Sequence, residues 1–474
     1  MARLFIHGGQ VVDPLNRRLD FLDLVIDNGR IEAVGHGARV PAGAQVIDAA
    51  GALVMPGLVD THTHVAGHYR RGHAMMARAG VTTALNLSGH MDDVIEGMRQ
   101  AGAGLNVASL ESLAPGDALP NDAPSPAEIR MAIEAALGRG AIGVKILGGH
   151  YPFTPDATAE IIHAANELRC YVAFHVGSTR YGSNLEGLRE AAELADGNAM
   201  QVAHVNSYCR GAILPAIDEA REAIEILTRW PRLRSESYLA LINGTSGRCI
   251  QGSPASNATS QCLTLFGYDA TEEGLERAFD DGRAYVLDDR GDSTIHLRGT
   301  EARDLWREMG TDVSISFPIN DPTSQFILAT ARHPDGRYVV DALSTDGGGI
   351  PRNVTVERGL ALVDLDGLSL TGFVTKAALA PARMLGLTNK GHLTPGADAD
   401  VIVVDRANRR VRATIVGGEV AQVDGVVTGS GGTLIAGDRG RVAAERTGIP
   451  VQTIDVARTG LYEPNQVAAV AALR

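Results

Sequence analysis

The feature that most constrains this chain is a series of short apolar runs, each ending in a residue able to ligate a metal. His62 and His64 close Leu58-Val-Asp-Thr-His-Thr-His64, and Lys145 closes Ala141-Ile-Gly-Val-Lys145. His175 closes Tyr171-Val-Ala-Phe-His175, His204 closes Met200-Gln-Val-Ala-His204, and Asp346 closes Asp341-Ala-Leu-Ser-Thr-Asp346. Brief apolar runs bounded by polar loops read as buried strands. Strands that all finish this way predict a parallel barrel with its chemistry on the C-terminal rim, where loops vary while the strands hold the site still. One polar strand end is ordinary; six in a coherent order are not.

The rest of the chain fits that frame. Its 474 residues are too many for one simple core but suit a large barrel with a smaller attached domain. Near the start, Leu22 to Ile26 and Ile31 to Val34 flank Asp27-Asn28-Gly29-Arg30, a hairpin signal because Asn and Gly tolerate the positive φ such turns demand. A similar pattern recurs far downstream, at 399–404, 413–416 and 419–423. Between these ends, proline-led helical stretches at 126–137 and 155–168, and others at 184–195 and 214–227, alternate with strands, the mark of a parallel sheet. The expected fold is therefore α/β, a (β/α)8 TIM-like barrel with a small β-sandwich built from both termini. The expected boundaries are 1–55 and 391–430 for the sandwich and 56–390 for the barrel. Runs at 237–242 and 313–317 read as barrel strands six and seven, separated by insertions. The glycine-rich and then weakly helical tail, 431–474, reads as mobile or as an oligomer contact.

Bulk properties narrow the function. A net charge of −13 argues against nucleic acid as partner, since phosphate binding needs a basic surface. No apolar run approaches the roughly 18 residues of a membrane span, so no membrane role is expected. Four cysteines without metal-type spacing read as reduced thiols of a cytoplasmic protein. A closed homo-oligomer is the expected default.

Met55-Pro-Gly-Leu-Val-Asp-Thr-His-Thr-His64 resembles the opening motif of the amidohydrolase superfamily, and Gly391-His-Leu-Thr-Pro-Gly-Ala-Asp-Ala-Asp-Val-Ile-Val-Val-Asp405 resembles that family's return into its β-sandwich. The set of His-x-His, Lys, His, His and Asp is similar to the binuclear subset that holds hydantoinases, dihydroorotases, isoaspartyl dipeptidases and D-aminoacylases. The surroundings of His175, His204 and Asp346 look closest to isoaspartyl dipeptidase. The long stretch between His204 and Asp346 departs from that pattern and looks more like D-aminoacylases or the amidohydrolase-like subunit of formylmethanofuran dehydrogenase. The departure concerns the substrate, not the metal site.

The residues suggest how such a site works. His62 and His64 lie on one face of a strand and can reach one ion, with Asp346 completing its set. His175 and His204 would hold a second. Imidazole and carboxylate suit zinc, and manganese, iron or cobalt fit the same ligands. Burial lowers a lysine pKa, and a neutral Lys145 amine can add carbon dioxide to become N6-carboxylysine, a two-oxygen bridge between two divalent metal ions. The metals would lower the pKa of a shared water, and Asp346 would serve as general base and then deliver the proton to the leaving nitrogen. The expected activity is hydrolysis of the C–N bond of a small-molecule amide, an N-acyl amino acid or a dipeptide-like compound. The alternatives are a cyclic-amide hydrolase, a subunit of a formyl-transferring complex and a silent scaffold. Candidate substrate contacts are Tyr151 and Tyr208 for an oxyanion, and Arg180 and Arg210 for a carboxylate. His150, Asn243 and Gly348 are further candidates, the last through close backbone approach. His68, His73 and His90 read as solvated or structural.

Overall fold

The computed structural model describes residues 3–67 and 69–464. Eight parallel strands run Leu58–His64, Val81–Asn86, Ala103–Leu113, Gly143–Leu147, Tyr171–His175, Met200–Val202, Leu233–Tyr238 and Ala342–Ser344, each hydrogen-bonded to the next. The residues just after the eighth strand return to the first, with Gly347 paired to Thr63 and Gly348 to His64, so the sheet closes into a barrel. Helices between the strands begin with well-formed caps. Ser125 and Glu128 form a capping box on Pro126–Gly138, Thr154 caps Pro155–Glu167, and Asn184 caps Leu185–Ala195.

The seventh barrel strand departs from expectation. It runs Leu233–Tyr238, four residues ahead of the apolar stretch at 237–242, and its residues Arg234, Ser235, Glu236 and Ser237 are all buried. A strand that is polar in sequence can be buried because its polar groups are satisfied: Arg234 pairs with Asp341, Ser237 donates to Asn206, and Glu236 accepts from three partners described below. The stretch at 313–317 is not a barrel strand. Ser314–Ser316 joins Thr245–Ser246, Tyr285–Arg290 and Ser293–Leu297 in a separate antiparallel sheet. With the helices Asn257–Leu265, Glu272–Asp280 and Gly299–Glu308, that sheet encloses its own core around Trp306, Phe279 and Phe317. The long insertion between barrel strands seven and eight is thus a folded cap.

The strands from both ends of the chain form one continuous nine-stranded sheet over a core of Leu4, Ile6, Val11, Ile26, Val401, Val403 and Ile415. Strand Val401–Asp405 pairs antiparallel with Ala52–Pro56 and so joins the two halves. Buried charge helps fasten this sheet to the barrel: Lys390 Nζ lies 2.6 Å from Asp400 and 2.9 Å from Asp398, and Asp400 also accepts from Asn106 of the third barrel strand at 3.1 Å.

The tail corrects a second expectation. Gly431–Gly437 pairs in parallel with the first half of the third barrel strand, and Val451–Ile454 pairs with it in turn. The contact is close: a Cβ on Gly102 would come within 1.9 Å of the Gly431 carbonyl oxygen. The segment from 431 is therefore part of the sheet; residues 465–474 lie outside the described residues, as does His68.

Removing one partner of a buried ion cluster leaves the others desolvated and uncompensated. Lys390→Met is expected to cost about 3–5 kcal/mol, seen as a clear drop in thermal midpoint; an unchanged midpoint would show that this cluster does not hold the two parts together.

Candidate metal centre

Alternation along the first barrel strand places Asp60, His62 and His64 on one face. His62 Nε2 lies 3.2 Å and His64 Nε2 2.8 Å from Asp346 Oδ1, and ligand atoms of these three residues all lie within 4.8 Å of one another. The rings of His62 and His204 are 4.9 Å apart, and those of His204 and His175 meet edge-on at 4.3 Å. Lys145, 1% exposed, comes up from the fourth strand close enough to feel the charges of Glu236 and Asp346. All six residues singled out in sequence therefore line one cavity of about 280 Å3. His204 and Asp346 both adopt left-handed backbone (φ +33° and +49°), strain of roughly 1–3 kcal/mol each that the surrounding structure enforces.

The donor set suits cations. His62 Nδ1 faces Glu236 Oε1 at 2.7 Å, and a carboxylate only accepts, so Nδ1 is the donor of that bond and Nε2 is the nitrogen turned towards Asp346. Ring nitrogens and a carboxylate oxygen gathered this closely in a buried site suit a cation between them. Among the described residues, Lys145 Nζ and His204 Nδ1 are buried without a hydrogen-bond partner, a costly condition unless something binds there. Burial pushes His64 down to about 4 and holds His175 and His204 well below the usual histidine value, so the imidazoles are neutral donors. Burial also lowers Lys145 to about 8, against the pull of Glu236 and Asp346, leaving a useful fraction of free amine near neutral pH. Burial alone would raise Asp346, but the Arg352 guanidinium beside it leads the opposing influences and the carboxyl is held well below its ordinary range.

Several important residues carried no sequence signal. Glu236 accepts from His62, from the His204 backbone N–H at 2.6 Å and from the Ser344 hydroxyl, so one carboxylate braces barrel strands one, six and eight. Arg352 is buried with Nη2 2.8 Å from Asp346 Oδ1 and its guanidinium 5.2 Å above the Tyr238 ring. Asp60, pushed up to about 7 by burial, accepts from the backbone of His62 and Thr345. Only the position of Arg352, six residues past Asp346 on the loop after a ligand strand, could have hinted at a role.

The candidate substrate contacts divide. Arg210, His150 and Asn243 line the cavity. Asn243 is committed to structure, donating to Cys262 and accepting from Phe317 N–H. Tyr208 is buried, accepts from Val176 N–H and lines an adjoining cavity instead. Three candidates need correcting. Tyr151 is 50% exposed and outside the cavity lining. Arg180 points away and pairs with Glu190. Gly348 serves barrel closure: at φ +87°, a Cβ there would lie 2.3 Å from the His64 carbonyl oxygen. His73 is buried with neither ring nitrogen partnered among the described residues, and His90 pairs with Glu111 away from the cavity.

A closed parallel barrel whose rim gathers four histidines, a lysine and an aspartate defines a metal-dependent hydrolase scaffold. Two family models described as amidohydrolase family match the chain, one at residues 45–98 and the other at 294–429. A dihydroorotase of Geotalea daltonii is 26% identical over 438 residues, covering 85% of this chain and 89% of the relative. A D-aminoacylase structure described by its binuclear metal centre is 19% identical with a TM-score of 0.63, covering 90% of this chain and 98% of that one. An N-acyl-D-glutamate deacylase from Bordetella bronchiseptica, complexed with zinc and a phosphonate mimic of the tetrahedral intermediate, is 17% identical at TM-score 0.63 with the same coverage. The chain thus carries two separate matches to the amidohydrolase family and shares the fold of these D-aminoacylase and deacylase structures.

Groups that orient a ligand histidine typically govern metal affinity by 10–100-fold. Glu236→Gln is expected to weaken zinc retention by roughly that factor, measured by competition with a chromophoric chelator, while circular dichroism stays native; unchanged retention would remove Glu236 from the site's support.

Proposed function

We propose that this enzyme hydrolyses the amide of an N-acyl amino acid or a dipeptide-like compound. The observation that carries the reading is a pair of guanidinium groups on either side of Tyr238: Arg352 stacks over its ring and Arg210 donates to its hydroxyl at 3.3 Å, both on the cavity wall. Against them the lining offers one carboxylate, Asp346, so the pocket favours an anionic substrate, and a guanidinium fork matches a carboxylate. A second cavity of about 280 Å3 adjoins the first and shares Ser183, Ser207, Arg210, Ala258 and Gln261 with it. That elongated, two-part space supports a linear amide over a compact ring. The likeness to a dihydroorotase supports the second reading, a cyclic amide carrying a carboxylate.

His62, His64 and Asp346 would hold one divalent cation and His175 and His204 another, with Lys145 as N6-carboxylysine between them. When bound, such cations supply a water of lowered pKa and polarise the scissile carbonyl, with zinc the expected metal. Ser183, 3.0 Å from His175 Nε2, fixes that ring as Glu236 fixes His62. Arg352 keeps Asp346 ionised, so its carboxylate is available to take the proton of the attacking water and return it to the leaving nitrogen. The insertion brings Thr245, Ser246, Ser314 and Ile315 to the cavity wall, where they would help to screen the reacting amide from bulk water.

The test is a panel of N-acyl amino acids, dipeptides and cyclic ureides, run alongside Asp346→Asn. We expect turnover of carboxylate-bearing linear amides and a loss of at least about 100-fold in kcat for Asp346→Asn with metal content largely kept. Activity confined to cyclic ureides would favour the second reading, and an active Asp346→Asn enzyme would remove the proton shuttle.

A further inference from the structure

His150 carries a feature that the metal-centre chemistry does not use. It follows the fourth barrel strand on a loop pressed against the fifth: a Cβ on Gly149 would lie 2.0 Å from His175 Nε2, so only glycine allows the approach. The His150 ring meets the His175 ring edge-on at 4.8 Å and faces the cavity. Its Nδ1 is 3.3 Å from Ser256 Oγ, which is 3.1 Å from Thr245 Oγ1; that oxygen is 2.9 Å from Thr259 Oγ1, which donates to the Ser246 carbonyl at 2.7 Å.

This chain has one direction in which every bond is made. A carbonyl oxygen only accepts and each hydroxyl owns one hydrogen. Thr259 gives its hydrogen to Ser246, so it must accept from Thr245. Thr245 must then accept from Ser256, and Ser256 from His150. Reversing the chain leaves the Ser246 carbonyl without its hydroxyl. Ser256 and Thr259 are buried, while Thr245 and His150 are partly exposed at the cavity wall. The ring proton therefore sits on Nδ1. In the neutral ring Nε2, for which no partner is found among the described residues, then carries the lone pair.

We infer that His150 is a specificity residue whose Nε2 accepts a hydrogen bond from the substrate's amide N–H, held in that tautomer by the Ser256, Thr245 and Thr259 hydroxyls. The substrate class this selects is the secondary amide, with tertiary amides disfavoured. The inference rests on the amide-hydrolase reading for its substrate but not for the tautomer. Arg210 would meet the carboxylate while Arg352 holds Asp346, and a guanidinium only donates, so His150 supplies an acceptor those groups cannot.

The experiment has two arms on the zinc-reconstituted full-length protein. Nitrogen-15 NMR of histidine-labelled enzyme, with His150→Phe assigning the resonance, should show Nδ1 protonated and Nε2 unprotonated. Thr259→Val, remote from substrate, should shift His150 towards the opposite tautomer. In the second arm, His150→Phe should lower kcat/KM for a secondary N-acyl amino acid by roughly 10–100-fold, with the N-methylated analogue changing by less than about 3-fold. A proton on Nε2 in the wild-type enzyme, equal losses on both substrates, or a fall in metal content in His150→Phe would each overturn the inference. If no amide is turned over by the wild type, the substrate reading fails and the NMR arm alone decides the tautomer.

Discussion

The site depends first on how the barrel closes. Asp346 N–H donates to the His62 carbonyl at 2.9 Å and Gly349 N–H to the His64 carbonyl at 3.1 Å, with Gly347 and Gly348 in register between them. The bonds that join the last strand to the first therefore also set Asp346 against the His62 and His64 rings. A residue with a side chain at 348 would collide with the first strand, which is why glycine stands there. Closure and site assembly are one event, so the ligands from the two ends of the barrel cannot be in place while the sheet is open.

What closure brings together is electrostatically unfavourable by itself. Ring nitrogens and a carboxylate oxygen crowd together in a buried site, and the Lys145 amine has no hydrogen-bond partner among the described residues. Such a cluster costs several kcal/mol unless charge or hydrogen bonds compensate it. Glu236 and Arg352 supply part of the compensation and also fix orientation, the first by committing one nitrogen of His62, the second by holding Asp346 ionised. The hydroxyl chain behind His150 repeats the same device further out. In each case a group behind the site decides which atom of the ring meets the cavity, the arrangement by which outer groups tune ligand basicity and geometry.

Much of this was legible in the sequence because burial leaves a pattern. His62, Lys145, His175 and Asp346 each terminate an apolar run, and the structure puts the first three in strands of one barrel and Asp346 two residues past the end of its eighth strand. Glu236 escaped because its strand is polar: Leu-Arg-Ser-Glu-Ser-Tyr is buried through specific partners, and hydrophobic periodicity cannot register those. The stretch around Ile315 misled for the opposite reason, being apolar but packed in the insertion's own core around Trp306. Tyr151 and Arg180 followed ligand strands closely in sequence, yet loop geometry turned both outward, and sequence distance says nothing about that. The pairing of Gly431–Gly437 with the third barrel strand joins residues more than three hundred positions apart, and no local signal announces it.

The account stands on the rim being a metal centre, and the most direct measurement is metal content per chain by elemental analysis on protein purified without chelator and after reconstitution with zinc in bicarbonate. About two metals per chain are predicted, falling clearly when Lys145 is replaced by alanine. A chain that takes up no metal even after reconstitution would contradict the account and leave the buried histidines and Asp346 without the cation their arrangement calls for.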